Sequence, residues 1–294
     1  MKKVVCFGEV LWDMLPTGKK LGGAPLNVAL RMQSMGLDAK VISSVGDDVP
    51  GQEIKQAMQA HEAALDHLQV SQRYETSQVL VHLDDSGSAS YEIKMPCAWD
   101  DIQLLERDVE AVKQADAFLY GSLSARQPSS RDTLCALLKV AKFRVFDVNL
   151  RPPHYTLDHL LHLMEYADFI KFNEEEIVSI CRAMGAQDLA LEACITFVAE
   201  KTQTANICVT LGADGSFLFQ NGTLFYQKGY KIKVADTVGA GDSFLATIVS
   251  HLLRGEEPAK ALNYASAVGA LVASKAGANP SISPQEIQEM LQMS

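Results

Sequence analysis

The chain has 294 residues, 48% hydrophobic and 21% charged, an ordinary globular composition that argues against collagen, coiled coil and wholesale disorder. Its formal charge is −10 and no basic tract interrupts it, which argues against nucleic acid or an anionic membrane surface as the main partner. The longest run without a charge, residues 261–274, has 14 positions, short of the roughly 20 apolar residues of a membrane-spanning helix.

Along the chain, apolar runs alternate with segments of helical period. Residues 4–8 form the first apolar run, broken by Gly8 and Glu9 and lacking a small-residue cleavage site. This reads as a strand rather than a signal peptide, and a cytoplasmic protein is expected. Residues 25–35 carry Leu26, Ala29 and Leu30 on one helical face, 40–45 is a strand, and a helix starts near Gln52. Strands recur at 117–120, 144–148, 169–172 and 207–211, with helices at 129–142, 157–166, 174–184 and 189–201. Apolar strands alternating with helices predict a mainly parallel sheet covered on both faces, an α/β architecture. The six cysteines show no C-x-x-C spacing and read as reduced thiols, not as zinc ligands or disulfides.

Two hairpins interrupt the alternation. Residues 77–83 and 89–94 flank Asp84-Asp85-Ser86-Gly87-Ser88. They form either a lid or small second sheet, which residues 11–15 would extend, or an extra hairpin at the edge of the main sheet. Residues 217–220 and 223–227 flank Asn221-Gly222, a pair that supplies the two positive-φ positions of a tight turn.

The strongest chemical signal is Asp236-Thr237-Val238-Gly239-Ala240-Gly241-Asp242-Ser243-Phe244, followed by an apolar helical run. Glycines entering a helix let a ligand approach free N–H groups, and the helix dipole favours an anion there. A carboxylate in the first turn would repel a phosphate but would accept a proton from a hydroxyl attacking it. The same residues would also serve as a tight turn with Asp242 as a helix cap. Neither G-x-x-x-x-G-K-[ST] nor G-x-G-x-x-G is present, which removes the main support for a P-loop enzyme or a Rossmann dehydrogenase.

Residues 236–244 resemble the signature of the ribokinase-like (PfkB) carbohydrate kinases. Gly22-Gly23-Ala24-Pro25-Leu26-Asn27-Val28-Ala29, Asp147-Val148-Asn149-Leu150-Arg151-Pro152, Asn173-Glu174-Glu175-Glu176 and Val209-Thr210-Leu211-Gly212-Ala213-Asp214-Gly215 match in the family's order. The resemblance spans essentially the whole chain. It implies a single ribokinase-like domain over 1–294, a three-layer α/β/α sandwich with a small β-sheet lid from about 10–17 and 77–95. It also implies ATP-dependent phosphorylation of a sugar, with no nucleic-acid or membrane partner.

Carried over residue by residue, Asp242 resembles the catalytic base, and Gly239, Ala240 and Gly241 the anion hole. Arg151 would face the substrate or the phosphoryl group. Asp13, Gly23 and Asn27 resemble sugar-binding positions, and Thr210, Gly212, Gly215 and Asn263 nucleotide-binding ones. Asn173 and Glu176 match the N-x-x-E motif that supports Mg²⁺ and its waters; without the family, the acidic run reads as a complement to a helix N-terminus. Asp236 with the bend at 273–278 resembles the loop where some relatives bind a monovalent cation such as K⁺. The segment Gly8-Glu9-Val10-Leu11-Trp12-Asp13 and the glycine segment at 22–27 resemble fructokinases most. A 2-keto-3-deoxygluconate kinase or a ribokinase is the alternative within the class, and a non-catalytic sugar or nucleotide sensor the alternative outside it. Lys94-Met95-Pro96-Cys97-Ala98-Trp99-Asp100 departs from the fructokinase form, which carries an arginine in that lid segment. Lys lacks Arg's bidentate fork. A homodimer through the lid, with Val79, Val81 and Leu83 at its surface, follows by analogy.

Overall fold

A computed structural model describes residues 1–15, 18–83 and 89–293. In chain order the first part forms β1 (Lys3–Phe7), β2 (Leu11–Leu15), β3 (Gly18–Gly22), α1 (Ala24–Ser34), β4 (Asp38–Gly46), α2 (Val49–Ala60), β5 (Leu68–Ser71), β6 (Gln78–Leu83) and β7 (Ala89–Ile93). The middle forms α3 (Glu106–Gln114), β8 (Ala117–Gly121), α4 (Pro128–Leu138), β9 (Arg144–Asp147), α5 (Leu157–Glu165), β10 (Phe169–Asn173), α6 (Glu174–Ala183) and α7 (Leu191–Thr202). The last part forms β11 (Asn206–Thr210), β12 (Gly215–Gln220), β13 (Thr223–Lys228), α8 (Ala240–Leu253), α9 (Pro258–Ala273) and α10 (Pro284–Leu291).

Among the described residues the large sheet has nine strands in the order β13-β12-β11-β10-β9-β8-β1-β4-β5. It is parallel from β11 to β5, with β12 and β13 antiparallel at one edge. Side chains of a strand alternate between its faces. Val5, Phe7 and Phe146 therefore join one core with α3 to α7, while Val4, Cys6 and Val145 join another with α1, α2, α8 and α9. This is the expected three-layer sandwich. All six cysteines are free thiols, and no described helix is long and apolar enough to cross a membrane.

The second sheet has the order β3-β2-β6-β7. Both hairpins are antiparallel and are joined by a parallel pairing of β2 with β6. The hairpin at 77–94 is thus part of a separate sheet and not an edge of the main one. Its connection at 84–88 and the expected lid residues 16–17 lie outside the described residues. The Asn221-Gly222 turn forms as read, with φ of 49° and 85°. Strands β3 and β5 and helix α3 were not foreseen. They are short, and α3 buries only Asp108 and Val112, so no apolar periodicity marks it.

From β1 the chain order runs one way through β4 and β5, and the other way through β8 to β11. An open α/β sheet binds ligands outside the carboxyl ends of strands near such a switch point. Glu9 follows β1, Arg151 follows β9, Asn173 ends β10 and Thr210 ends β11.

Candidate active site

Gly239 precedes α8 with φ 75°, and a Cβ there would lie 2.4 Å from the Ala278 carbonyl oxygen. Only glycine fits both the left-handed backbone and the close approach. The turn leaves Asp242 in the first turn of α8, where it caps nothing: the helix start has no side-chain cap. Instead Asp242 Oδ2 accepts a hydrogen bond from Asn27 Nδ2 at 2.8 Å. Burial and then the nearby Asp147 push its carboxyl up to about 6, against the opposing pull of Asn27, Lys171 and Arg151.

Two cavities meet beside this turn. The larger, about 480 Å³, is walled by Thr210, Gly212, Gly215, Tyr230, Ser266 and Gly269, with Ala240 at its inner end. The smaller, about 320 Å³, is lined by Glu9, Asp13, Asn27, Arg151, Lys171 and Asp242. Gly23 and Gly239 lie on the wall of the smaller cavity, and the second sheet contributes Val79 and Ile93. Thr237 and Gly241 border both. Gly23, at φ 110°, allows the chain to pass Glu9, whose carbonyl oxygen would lie 2.2 Å from a Cβ.

The smaller cavity is dense in charge. Burial raises Glu9 to about 7 and Asp13 to about 6, while Arg151 pulls both down. Glu9 is 4% exposed and one of its carboxylate oxygens has no hydrogen-bond partner. Lys171, buried on β10, is paired with Asp147 at 3.0 Å.

Asn173 and Glu176 form a capping box at the start of α6: Asn173 Oδ1 accepts from Glu176 N, and Glu176 Oε2 accepts from Asn173 N, both at 2.8 Å. Glu176 Oε1 accepts from Leu150 N at 2.8 Å. The helix-start reading of this motif is therefore realised, and Glu176 also holds the segment that carries Arg151. Among the described residues no group of three or more His, Cys, Asp or Glu is placed to hold a metal.

Three expectations are corrected by position. Asn263 does not line the larger cavity; its Oδ1 accepts from the Tyr230 hydroxyl at 2.5 Å, so it stands behind a lining residue. Lys94 does not line the smaller cavity and pairs with Glu75 on the surface at 2.5 Å. Its segment is held from below by buried Arg126, which donates to both Asp100 oxygens and to the Lys94 carbonyl, each at 2.8 Å, and lies over the Trp99 ring. Val79 is 3% exposed and faces the cavity, while Leu80 faces out at 43%; Val81 and Leu83 have no described side chains.

Glu9, Lys171, Tyr230, Ser266 and Gly269 were missed. Lys171 carried a signal, a lone charge inside the apolar run 169–172, since a buried lysine needs a partner. Ser266 and Gly269 carried none beyond being small residues on an alanine-rich helix.

The chain is similar to known proteins along nearly its whole length. The model of the pfkB family carbohydrate kinases matches residues 1–286. The chain is 30% identical to a probable chloroplastic fructokinase of Arabidopsis thaliana, over 96% of this chain and 80% of that one. It is 30% identical to a fructokinase of Salmonella typhimurium, over 94% of each. In structure it resembles a Vibrio cholerae fructokinase bound to fructose, ADP and a potassium ion, with a TM-score of 0.84 and 24% identity over 99% of this chain and 98% of that one. It equally resembles a Thermotoga maritima 2-dehydro-3-deoxygluconokinase, with a TM-score of 0.85 and 22% identity over 99% and 98%. With the family model covering nearly the whole chain and the motif turn set between two adjoining cavities, the chain belongs to the pfkB family of carbohydrate kinases.

Proposed function

We propose that this sugar kinase transfers the γ-phosphate of ATP to a hydroxyl of fructose. The observation that carries the reading is the shared rim: two unlike cavities adjoin at Thr237 and Gly241, and Asp242 lines only the polar one. ATP occupies the larger cavity along Thr210, Gly212 and Gly215, with its terminal phosphate at the N–H groups of Gly239, Ala240 and Gly241. Those groups and the helix dipole offset the charge of the phosphoryl group in transfer. The sugar occupies the smaller cavity against Asp13, Gly23 and Asn27. Asp242 accepts the proton of the attacking hydroxyl. A carboxyl held near 6 is ionised at neutral pH and more basic than an ordinary aspartate.

Arg151 acts on Glu9, Asp13 and Asp242 at once. The same cavity already holds those three carboxyl groups, so a neutral sugar suits it better than an acidic one. Mg²⁺ bound with the nucleotide supplies charge neutralisation at the phosphates. The donor set fits such an ion and not a protein cage, because both Glu176 oxygens already accept backbone N–H groups; Asn173 and Glu176 would support it only through its waters. Asp236 accepts from Val238 N and Gly277 N at 3.1 Å each and pairs with Lys20 at 3.6 Å, so a K⁺ beside it would compete with that ammonium for the carboxylate.

The chain works as one kinase domain over 1–294, and the second sheet, of β2, β3, β6 and β7, is its lid, closing to exclude water. A homodimer through the lid would use outward-facing Leu80. The test is kcat/KM for fructose, ribose and 2-keto-3-deoxygluconate under the same ATP and Mg²⁺. Fructose should lead; a tenfold advantage for either of the others would replace the sugar and keep the kinase.

A further inference from the structure

Asn27 is bonded on both sides. Its Nδ2 donates to Asp242 Oδ2 at 2.8 Å, and its Oδ1 accepts from Asn279 Nδ2 at 2.8 Å. The directions are dictated by chemistry. An ionised carboxylate only accepts, so Asn27 must turn its NH₂ to Asp242. Its carbonyl then faces Asn279, which must also present NH₂. The carbonyl oxygen of Asn279 is left buried with no hydrogen-bond partner. An unmet buried acceptor is a penalty, and an apolar residue of similar shape would avoid it.

A second bridge runs beside the first. Arg31, four residues after Asn27 on the same face of α1, donates to Ser243 Oγ at 3.1 Å and to the Pro280 carbonyl at 2.9 Å. Helix α1 thus ties residues 242 and 243 of α8 to residues 279 and 280 of the loop between α9 and α10, pair by pair. The Arg31 bridge holds the two segments in register, and the Asn27 bridge orients the carboxylate. Among the described residues the Asp242 carboxylate makes no other hydrogen bond.

We propose that Asn279 is a positioning residue for Asp242, acting through Asn27: by donating to the Asn27 carbonyl it locks the amide with its N–H toward the base. This rests on reading Asp242 as the general base. Locking has two effects. One carboxylate oxygen is held, leaving the other for the sugar hydroxyl, and the ionised form is favoured in a cavity that otherwise opposes it. The charged groups facing Asp242 are Glu9 after β1, Asp147 on β9, Arg151 beyond it and Lys171 on β10. Asp13 and Lys20 stand on the lid side of the same cavity, and α1 brings Arg31 as far as Ser243. Among the described residues, none of these hydrogen-bonds Asn279.

Asn279→Asp tests the relay with almost no change of shape. An ionised aspartate cannot donate, so Asn27 must turn its NH₂ to residue 279 and its carbonyl to Asp242. Asn279→Leu removes the donor without adding charge. The carboxyl ¹³C titration of Asp242 is followed in the ligand-free protein, its resonance assigned by its loss in Asp242→Asn, with melting temperatures as the check on folding. The acid limb of kcat with fructose, ATP and Mg²⁺ is followed in parallel. Asn279→Asp should raise the Asp242 titration by about one unit or more, and Asn279→Leu by less. The acid limb should move with it, so that kcat at pH 7 falls about twofold for a one-unit rise and about tenfold for a two-unit rise in Asn279→Asp. KM for ATP should hold. A titration that moves while the kcat limb stays would keep the relay and remove Asp242 as the base. An Asp242 titration identical in wild type, Asn279→Asp and Asn279→Leu would overturn the relay.

Discussion

The two cavities share a rim and are built from opposite materials. The larger is walled mainly by glycines, small residues and apolar side chains such as Tyr230, Ile232 and Phe244, all between Thr210 and Ala273. The charged and amide side chains of the smaller come from α1, α8, β2, β3, β10 and the ends of β1 and β9. A site of backbone and small residues recognises by shape and by N–H groups, and its parts lie close together in the chain. A site of side chains recognises by pairing, and depends on seven segments being brought to one place. The first should therefore fail by being filled, the second by losing a partner.

The largest effect is expected at the rim. Asp242→Asn keeps the shape of the side chain and should lower kcat by roughly 10² to 10⁴. Both KM values should change little. A normal kcat would leave Asp242 with a structural part only.

Smaller and opposite effects should separate the two cavities. Asp13→Ala should raise KM for the sugar by about 10- to 100-fold, the loss of a charge-assisted hydrogen bond, and leave KM for ATP within about twofold. Gly269→Leu should do the reverse. A Cβ at Gly269 meets only ordinary contacts, the nearest at 3.5 Å, so the helix tolerates it while the longer side chain fills the larger cavity. KM for ATP should rise about tenfold, a loss of about 1.4 kcal/mol, with sugar affinity retained. Equal changes in both KM values for either variant would break the division.

The smallest effect concerns stability. Glu9, Asp13 and Asp242 all have carboxyls raised by burial. A raised carboxyl favours the folded state below its unfolded value, near 4, and that advantage is lost as pH climbs to the folded value. Asp242→Asn removes one such penalty. The ligand-free variant should melt about 2 to 4 °C above wild type at pH 8, the equivalent of about 1 kcal/mol, and no higher near pH 4. A gain that is the same at both values would place its origin outside ionisation.

Much of the larger cavity was legible in the sequence. Asp236 to Phe244 and Val209 to Gly215 are contiguous, and glycine at a strand end or helix start has a local steric meaning. Thr210, Gly212, Gly215 and Ala240, which lie in those two stretches, line it. Asn263 does not, because helical phase alone does not tell which residue of an alanine-rich helix reaches the ligand and which stands behind Tyr230. The N-x-x-E motif shows the same ambiguity. Its spacing is correct for a capping box and for a metal shell, and only the position of Leu150 N shows that both Glu176 oxygens are taken.

By itself the sequence determined the layered α/β architecture, because apolar strands alternating with segments of helical period are covered on both faces by those helices. It also determined the turn before α8, because glycine is the residue that a left-handed backbone against Ala278 permits. The tertiary structure decided the rest of the acceptor side. Glu9 and Lys171 have ordinary local surroundings, and the energetics that join them to Asn27 and Asp242 in one site arise between segments far apart in the chain. Burial raises Glu9 and Asp242, Asp147 holds Lys171, and Asn27 stands between Asp242 and Asn279. Desolvation and pairing are properties of the assembled cavity, so no spacing along the chain encodes them.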